Sequence, residues 1–261
     1  MISARDIQVQ IGKTPILHGV DFTAKPGQVT AIVGPNGSGK TTLLRALTDE
    51  VPWTGNIAIN GQDINTYKPW ELAAIRGVLP QAATLAFPFT VIEVVRMGLQ
   101  SGIHGEQDSI VQQALHTVGL VGYEARFFQE LSGGEQQRAH LARVLCQVWE
   151  PMLDNTPRWL LLDEPVASLD IGHQLLIMNC LSDFAQRGGG VVAVMHDLNL
   201  TAMVADAVTI ISDGQAIAQG PVADVFTDHW LSVAYKCALR TNTVPQSQHA
   251  FILPQVAGSS G

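Results

Sequence analysis

Apolar residues along this chain follow two rhythms that alternate at definite points. Ile7, Val9 and Ile11 alternate with polar neighbours, the period-two pattern of a half-exposed strand. Phe22 lies in a second short strand, a turn follows at Pro26-Gly27, and Val29–Val33 reads as a predominantly apolar strand. That strand runs straight into a glycine-rich loop and then into TTLLRALTDE, which has helical spacing. Residues 56–64 read as strand, Asn60-Gly61 turn and strand, which is a hairpin. Between Thr90 and Trp149 the rhythm lengthens, and residues 91–99, 109–118 and 136–149 carry helical periodicity with turn signals between them. Residues 150–158 (EPMLDNTPR) are polar and proline-bounded, and predict a surface loop. Strand character resumes at 159–162, 191–195 and 208–212, with a flexible connector at 187–190 and a hairpin turn at Asp213-Gly214.

This order predicts an α/β fold with a mixed sheet, an antiparallel β portion and an inserted all-helical lobe over about residues 84–149. One domain is expected over 1–240, followed by a weakly structured C-terminal tail over 241–261.

Composition narrows the function classes. With 46% hydrophobic and 15% charged residues the chain can bury a substantial core. Its net charge of −8 and the absence of any Lys/Arg run argue for no nucleic-acid partner. Cys146, Cys180 and Cys237 are far apart and lack CxxC spacing, which fits a reducing compartment and neither a disulfide framework nor a zinc site. MISARDIQVQ has no apolar stretch of the kind found in a signal peptide, and the longest apolar runs are too short to cross a bilayer. Any membrane part is therefore expected from another chain.

The chemistry sits in short words. GPNGSGKT at 34–41 is a phosphate-cradling loop of the P-loop class, in the strand–loop–helix context that such a loop requires. The backbone of Gly34, Pro35, Asn36, Gly37, Ser38 and Gly39 can turn its N–H groups towards phosphate oxygens, and the helix that begins near Lys40 adds its positive end. Lys40 can reach the β- and γ-phosphates, the Thr41 hydroxyl can ligate Mg²⁺, and Thr42 completes the nucleotide contacts. Further along, the apolar strand at 159–162 delivers Asp163 and Glu164 at its end. Asp163 is suited to hold Mg²⁺ through water, and Glu164 to polarise an attacking water as general base.

LSGGE at 131–135, followed by QQR, resembles the signature of the ATP-binding-cassette (ABC) ATPases. The resemblance covers nearly the whole chain and implies a P-loop NTPase fold, with ATP and Mg²⁺ as cofactors. It implies that Ser132, Gly133 and Gly134 bind the γ-phosphate of ATP held by another copy, so that a homodimer shares its two sites. Gln81 in VLPQ matches the family's Q-loop, which senses Mg²⁺ and links the site to the helical lobe. Ser168, Leu169 and Asp170 match the D-loop at the dimer interface, and His196 matches the switch histidine at the γ-phosphate. Two departures stand out. Ile11 occupies the place where the family usually stacks an aromatic ring on adenine, and residues 150–158 exceed the usual connection before LLLDEP.

Lys40 and Ser132 are too close in sequence for the long coiled coil of chromosome-repair relatives, and the chain carries one cassette. A separate ATPase subunit of a bacterial importer is expected, peripheral on the cytoplasmic face of the inner membrane. Its partners would be polytopic permease subunits and, indirectly, a periplasmic substrate-binding protein. FPFTVIEVVRMG at 87–98 and HDLNL at 196–200 resemble subunits powering uptake of iron–siderophore complexes, haem and cobalamin. RWLLLDEP, the insertion before it and Gly172-His173-Gln174 look closest to haem import. The alternative is a cassette acting on a protein scaffold, as in iron–sulfur cluster assembly. Phe87, Phe89, Val91, Val94, Val95 and Met97 form an apolar stretch that could receive a helix of the membrane partner.

Overall fold

The computed structural model describes residues 1–81, 87–101 and 107–244. The chain opens as a long hairpin, β1 (Ile2–Ile11) and β2 (Thr14–Ala24), whose register is shifted by bulges around Asp6. Strand β3 (Val29–Val33) leads through the glycine-rich loop into α1 (Lys40–Leu47). The expected hairpin follows as β4 (Thr54–Ile59) and β5 (Gln62–Asp63), with Asn60 and Gly61 both at positive φ as their turn demands. A short helix absent from the periodicity reading, α2 (Pro69–Ile75), starts with Pro69 and has Glu71 accepting the Lys68 N–H at 2.8 Å. It is seven residues long and shows the exposed Trp70, too little for a 3.6-residue rhythm to register.

Strand β6 (Arg76–Leu79) enters the helical region, which comprises α3 (Val91–Ser101), α4 (Asp108–Thr117) and α5 (Gly133–Gln147). Beyond it come β7 (Met152–Leu153), β8 (Thr156–Pro157), β9 (Trp159–Asp163), α6 (Ile171–Gln186), β10 (Gly190–Val194) and α7 (Leu198–Val204). The last elements are β11 (Ala207–Ser212), β12 (Gln215–Pro221), α8 (Val222–Val225) and α9 (Asp228–Tyr235). Residues 82–86, which include the start of the expected lobe, 102–106 within it, and 245–261 of the expected tail lie outside the described residues. Thr241, at the start of that tail, donates from its N–H and hydroxyl to Asp228 at 2.7 and 2.9 Å.

Two sheets organise the strands. The antiparallel one has the order β2-β1-β4-β5; the other runs β12-β11-β3-β10-β9-β6. In the second, β11, β3, β10, β9 and β6 are mutually parallel and only β12 is antiparallel, at the edge. Strands β3, β9 and β10 are buried at every position, because both faces of this sheet are covered. On one face Ile32, Leu161, Val192 and Val194 meet α1 and the inner side of the antiparallel sheet. On the other, Val33, Leu160, Leu162 and Ala193 join the cluster built by α3, α4, α5 and α6.

Two expectations need correction. Residues 150–158 form a small hairpin, β7–β8, rather than a plain loop, with Asp154 and Asn155 at φ 47° and 60° in its turn. Its last residue, Arg158, is fully buried; it donates its N–H to Pro151 O at 2.8 Å, and burial pulls its guanidinium pKa down against the opposing charges of Glu150 and Asp154. The apolar stretch after residue 86 also divides differently. Val91, Val94 and Val95 are wholly buried and Phe89 packs against them, leaving Phe87 as the member standing out in solvent, 67% exposed. Those valines are the inward stripe of an amphipathic helix.

The cysteines are unpaired, and burial pushes the Cys146 and Cys180 thiols up to about 12, which makes both unreactive. Leu161→Ala removes a fully buried side chain between two covered layers. Chemical denaturation should show a loss of about 2–5 kcal/mol.

Candidate active site

Parallel strands end together. The C-terminal ends of β3, β9 and β10 release the glycine-rich loop, the Asp163-Glu164 pair and His196 along one edge of the sheet. A cleft of about 540 Å³ opens there, lined by Asn36, Gly37, Lys40, Thr41, Gln81, Glu164 and His196.

The loop is held by backbone. Gly34 stands at φ 149°, so close to β11 that a Cβ would lie 2.0 Å from the Ile211 carbonyl oxygen. No side chain fits, and the strand is forced to turn at that point. Gly39 caps α1 at φ 105° without a side-chain hydrogen bond, and a Cβ there would meet Leu17 at 2.7 Å. The first N–H groups of α1 are thus left without a capping side chain. Lys40 is nearly buried, with Nζ donating to Gly34 O at 2.9 Å and Pro35 O at 3.0 Å. Burial lowers its pKa, and the negative charges of Glu164 and Asp163 oppose that shift. Ser38 is buried as well, and its hydroxyl has no partner among the described residues. The loop therefore offers a buried cation, a buried hydroxyl without a partner among the described residues and the N-terminal end of α1 without a side-chain cap, the components of an anion cradle. Pro35 and Thr42 flank it as half-buried residues.

Across the cleft, the Thr41 hydroxyl donates to Asp163 Oδ1 at 3.2 Å. Burial raises the Asp163 pKa and the Thr41 hydrogen bond works against it, with the Glu164 charge adding to the rise. These hard oxygens suit Mg²⁺, which keeps several waters and phosphate oxygens in its shell. Among the described residues no group of three His, Cys, Asp or Glu could hold a metal unaided.

Glu164 is the point of convergence. Its Oε1 accepts from His196 Nε2 at 2.6 Å and from Gln81 Nε2 at 3.1 Å. Its backbone stands at φ 52°, a left-handed conformation uncommon for a residue with a long side chain. Gln137 also reaches this residue, donating from Nε2 to Glu164 O at 3.3 Å. Sequence reasoning gave Gln137 no role, although its place one helical turn after Gly133 was a usable signal.

Other expected residues lie elsewhere. Ser132, Gly133 and Gly134 are absent from the cleft lining and form the exposed start of α5. There Ser132 is the N-cap: its N–H and hydroxyl both donate to Glu135 Oε2 at 2.7 Å. Glu135 N–H returns a longer bond to Ser132 Oγ at 3.4 Å, completing a capping box. Asp170 caps α6, accepting His173 N–H at 2.9 Å and lying 2.8 Å from His173 Nδ1. Ile11 is half exposed at the end of β1, while Ile16 and Leu17 are the residues that approach Gly39.

A phosphate loop feeding a helix, with a carboxylate pair on a neighbouring parallel strand, defines a nucleotide-hydrolysing cassette of the P-loop class. The sequence pattern of the family described as ABC transporter matches residues 17–167, more than half of the chain. The chain belongs to that family, as its ATP-binding ATPase part. It is 58% identical, over 100% of its own length and 97% of the relative's, to a hemin import ATP-binding protein HmuV of Jannaschia sp.. The protein of the same description from Roseobacter denitrificans is 59% identical, covering 98% of both chains. That of Mesorhizobium japonicum is 55% identical, again over 98% of each. Among solved structures, an ATP-binding cassette of an ABC transporter superposes with a TM-score of 0.76 at 25% identity, over 90% of this chain and 98% of that one. An ATP-binding subunit of an ABC transporter, 20% identical, shares the fold with a TM-score of 0.76 over 90% of this chain and 94% of its own.

The capping box yields a pH test. The Ser132 hydroxyl and N–H hold the Glu135 carboxyl down to about 2 from an ordinary 4.5. A depressed acid stabilises the fold fully above its unfolded value and loses that contribution as pH falls through its folded one. The stability lead of the native chain over Glu135→Ala should therefore be constant above about pH 5 and vanish towards about pH 2. Denaturant midpoints measured against pH would check it.

Proposed function

We propose that this chain is the ATP-hydrolysing subunit of a bacterial haem importer, working as a homodimer beneath separate permease subunits. The observation that carries the cargo is the 55–59% identity, over essentially full length, to hemin import ATP-binding proteins from three genera. Among the described residues no helix is long and apolar enough to cross a membrane, so the reading calls for polytopic partner subunits. A periplasmic substrate-binding protein would deliver haem to them, and this chain would sit on the cytoplasmic face of the inner membrane. The exposed Phe87, beyond Gln81, is the apolar residue that this reading offers to a permease helix.

In this reading ATP lies over the loop, with the Gly34–Gly39 amides, Ser38, Lys40, Thr41 and Thr42 around its phosphates. Thr41, Asp163 and Gln81 would hold Mg²⁺, which would supply neutralisation of phosphate charge. Glu164 takes the proton of the attacking water, and His196 and Gln81 hold its carboxylate in place through Oε1. Ser132, Gly133 and Gly134 of the partner copy, at the positive end of α5, close the site on the γ-phosphate, and Asp170 lies at the seam between the copies. Ile11 gives adenine an apolar contact in place of an aromatic stack.

Glu164→Gln should keep ATP binding and lose on the order of 10²-fold or more in turnover, read by phosphate release beside nucleotide titration. The cargo test is to purify the chain with its membrane partners and reconstitute the complex in vesicles. Haem-dependent ATP hydrolysis and uptake are expected. Activity with a ferric siderophore or cobalamin and none with haem would move the cargo, and a purely soluble scaffold partner would overturn the importer.

A further inference from the structure

The helix that begins with the signature is packed against this chain's own hydrolytic residues. Gln137 lies four residues after Gly133 on α5 and donates from Nε2 to the main-chain oxygen of Glu164 at 3.3 Å. The same oxygen accepts the Ala167 N–H at 3.1 Å, and the Glu164 N–H is fixed to Val194 O at 3.2 Å. These three bonds pin a residue whose φ of 52° is outside the comfortable range for an L-residue with a long side chain. Nearby, a Cβ on Gly134 would stand 3.1 Å from both Ser168 O and the Leu169 side chain, so the start of α5 and the segment after Glu164 are in close contact. The Gln137 amide is thus a direct contact between α5 and the Glu164 main chain.

We infer that Gln137 is a positioning residue that sets the backbone of Glu164 from the signature helix, and so links the two ATP sites through a single chain. The inference rests on the shared-site dimer proposed above. In that dimer Ser132 reports on the ATP held by the partner, while Glu164 acts on the ATP held by its own chain. Gln137 sits between them and touches neither nucleotide. Closure of the signature on one ATP thereby adjusts the general base beside the other.

The test uses the full-length chain with Gln137→Leu, similar in size but unable to donate, and Gln137→Glu, which presents an acceptor at the same reach. Both should lower kcat about tenfold, a cost in line with a small misplacement of a reacting group. KM for ATP and the affinity for a fluorescent ATP analogue should stay within about twofold, because the phosphate loop is untouched. Melting temperature should hold within about 2 °C, and the Hill coefficient for ATP should fall to about 1. Turnover at the native rate, or a native Hill coefficient, would overturn the inference. A parallel fall in turnover, affinity and melting temperature would also overturn it, by making Gln137 a packing residue. A separate experiment reads the dimer: Glu164→Gln with ATP should double in mass by light scattering. If it stays monomeric, the shared-site dimer and the link between sites both fall, whereas the rate effect of Gln137→Leu still reports on the contact within the chain.

Discussion

The fold depends on one constraint, that the parallel sheet is covered on both faces. Strands β3, β9 and β10 have no solvent side, so their residues are apolar except for Thr30 and the terminal Asp163, and their backbone hydrogen bonds are made within the sheet. Polar chemistry can then enter only where the strands stop. Because these strands run in the same direction, they stop along one edge, and the loop of Gly34, the pair Asp163-Glu164 and His196 emerge together. The active site is in this sense the exit of the core. Its precision comes from β3, β9 and β10, which are locked between α1 on one face and the helical cluster on the other.

Much of this was legible in the sequence because the strongest signals were local. Strands buried on both faces read as short apolar runs, the Asn60-Gly61 and Asp213-Gly214 turns need positive φ at cheap positions, and a phosphate loop must follow a strand and start a helix. What escaped was non-local or short. The α2 helix is too brief to show a period, and the 150–158 hairpin is fixed by two left-handed residues, Asp154 and Asn155, together with a buried arginine. Val91, Val94 and Val95 carry an apolar stripe whether it faces a partner or the chain's own α5, and only the packing decides between them. The site divides in the same way. Residue types announced Lys40, Asp163 and Glu164, whereas the contact of Gln137 with a main-chain oxygen 27 residues away is non-local, and its place one turn after Gly133 was only an indirect signal.

Charge is managed by partners at each polar position. Lys40 is taken out of water and compensated by two carbonyls and two nearby carboxylates; Glu164 is satisfied by an imidazole and an amide on one oxygen; Glu135 is satisfied by Ser132. Lys40 and Glu164 each have a second, alternative partner in the catalytic cycle proposed here, phosphate for the one and the attacking water for the other. The resting contacts keep them from being orphaned, at distances an incoming phosphate or water can replace.

Asn60 gives the architecture a different kind of coherence. Its N–H holds Met1 O at 2.9 Å, its side-chain amide donates to Pro157 O at 2.9 Å, and its Oδ1 accepts from the Trp159 indole at 3.0 Å. One left-handed turn residue thus ties Met1, just ahead of β1, to Trp159 at the start of β9, which lies 99 positions beyond Asn60. The amino terminus and a fully buried tryptophan share this one partner. The clasp joins the antiparallel sheet to the parallel one by a contact of high sequence separation, so residues made early are secured by ones made much later.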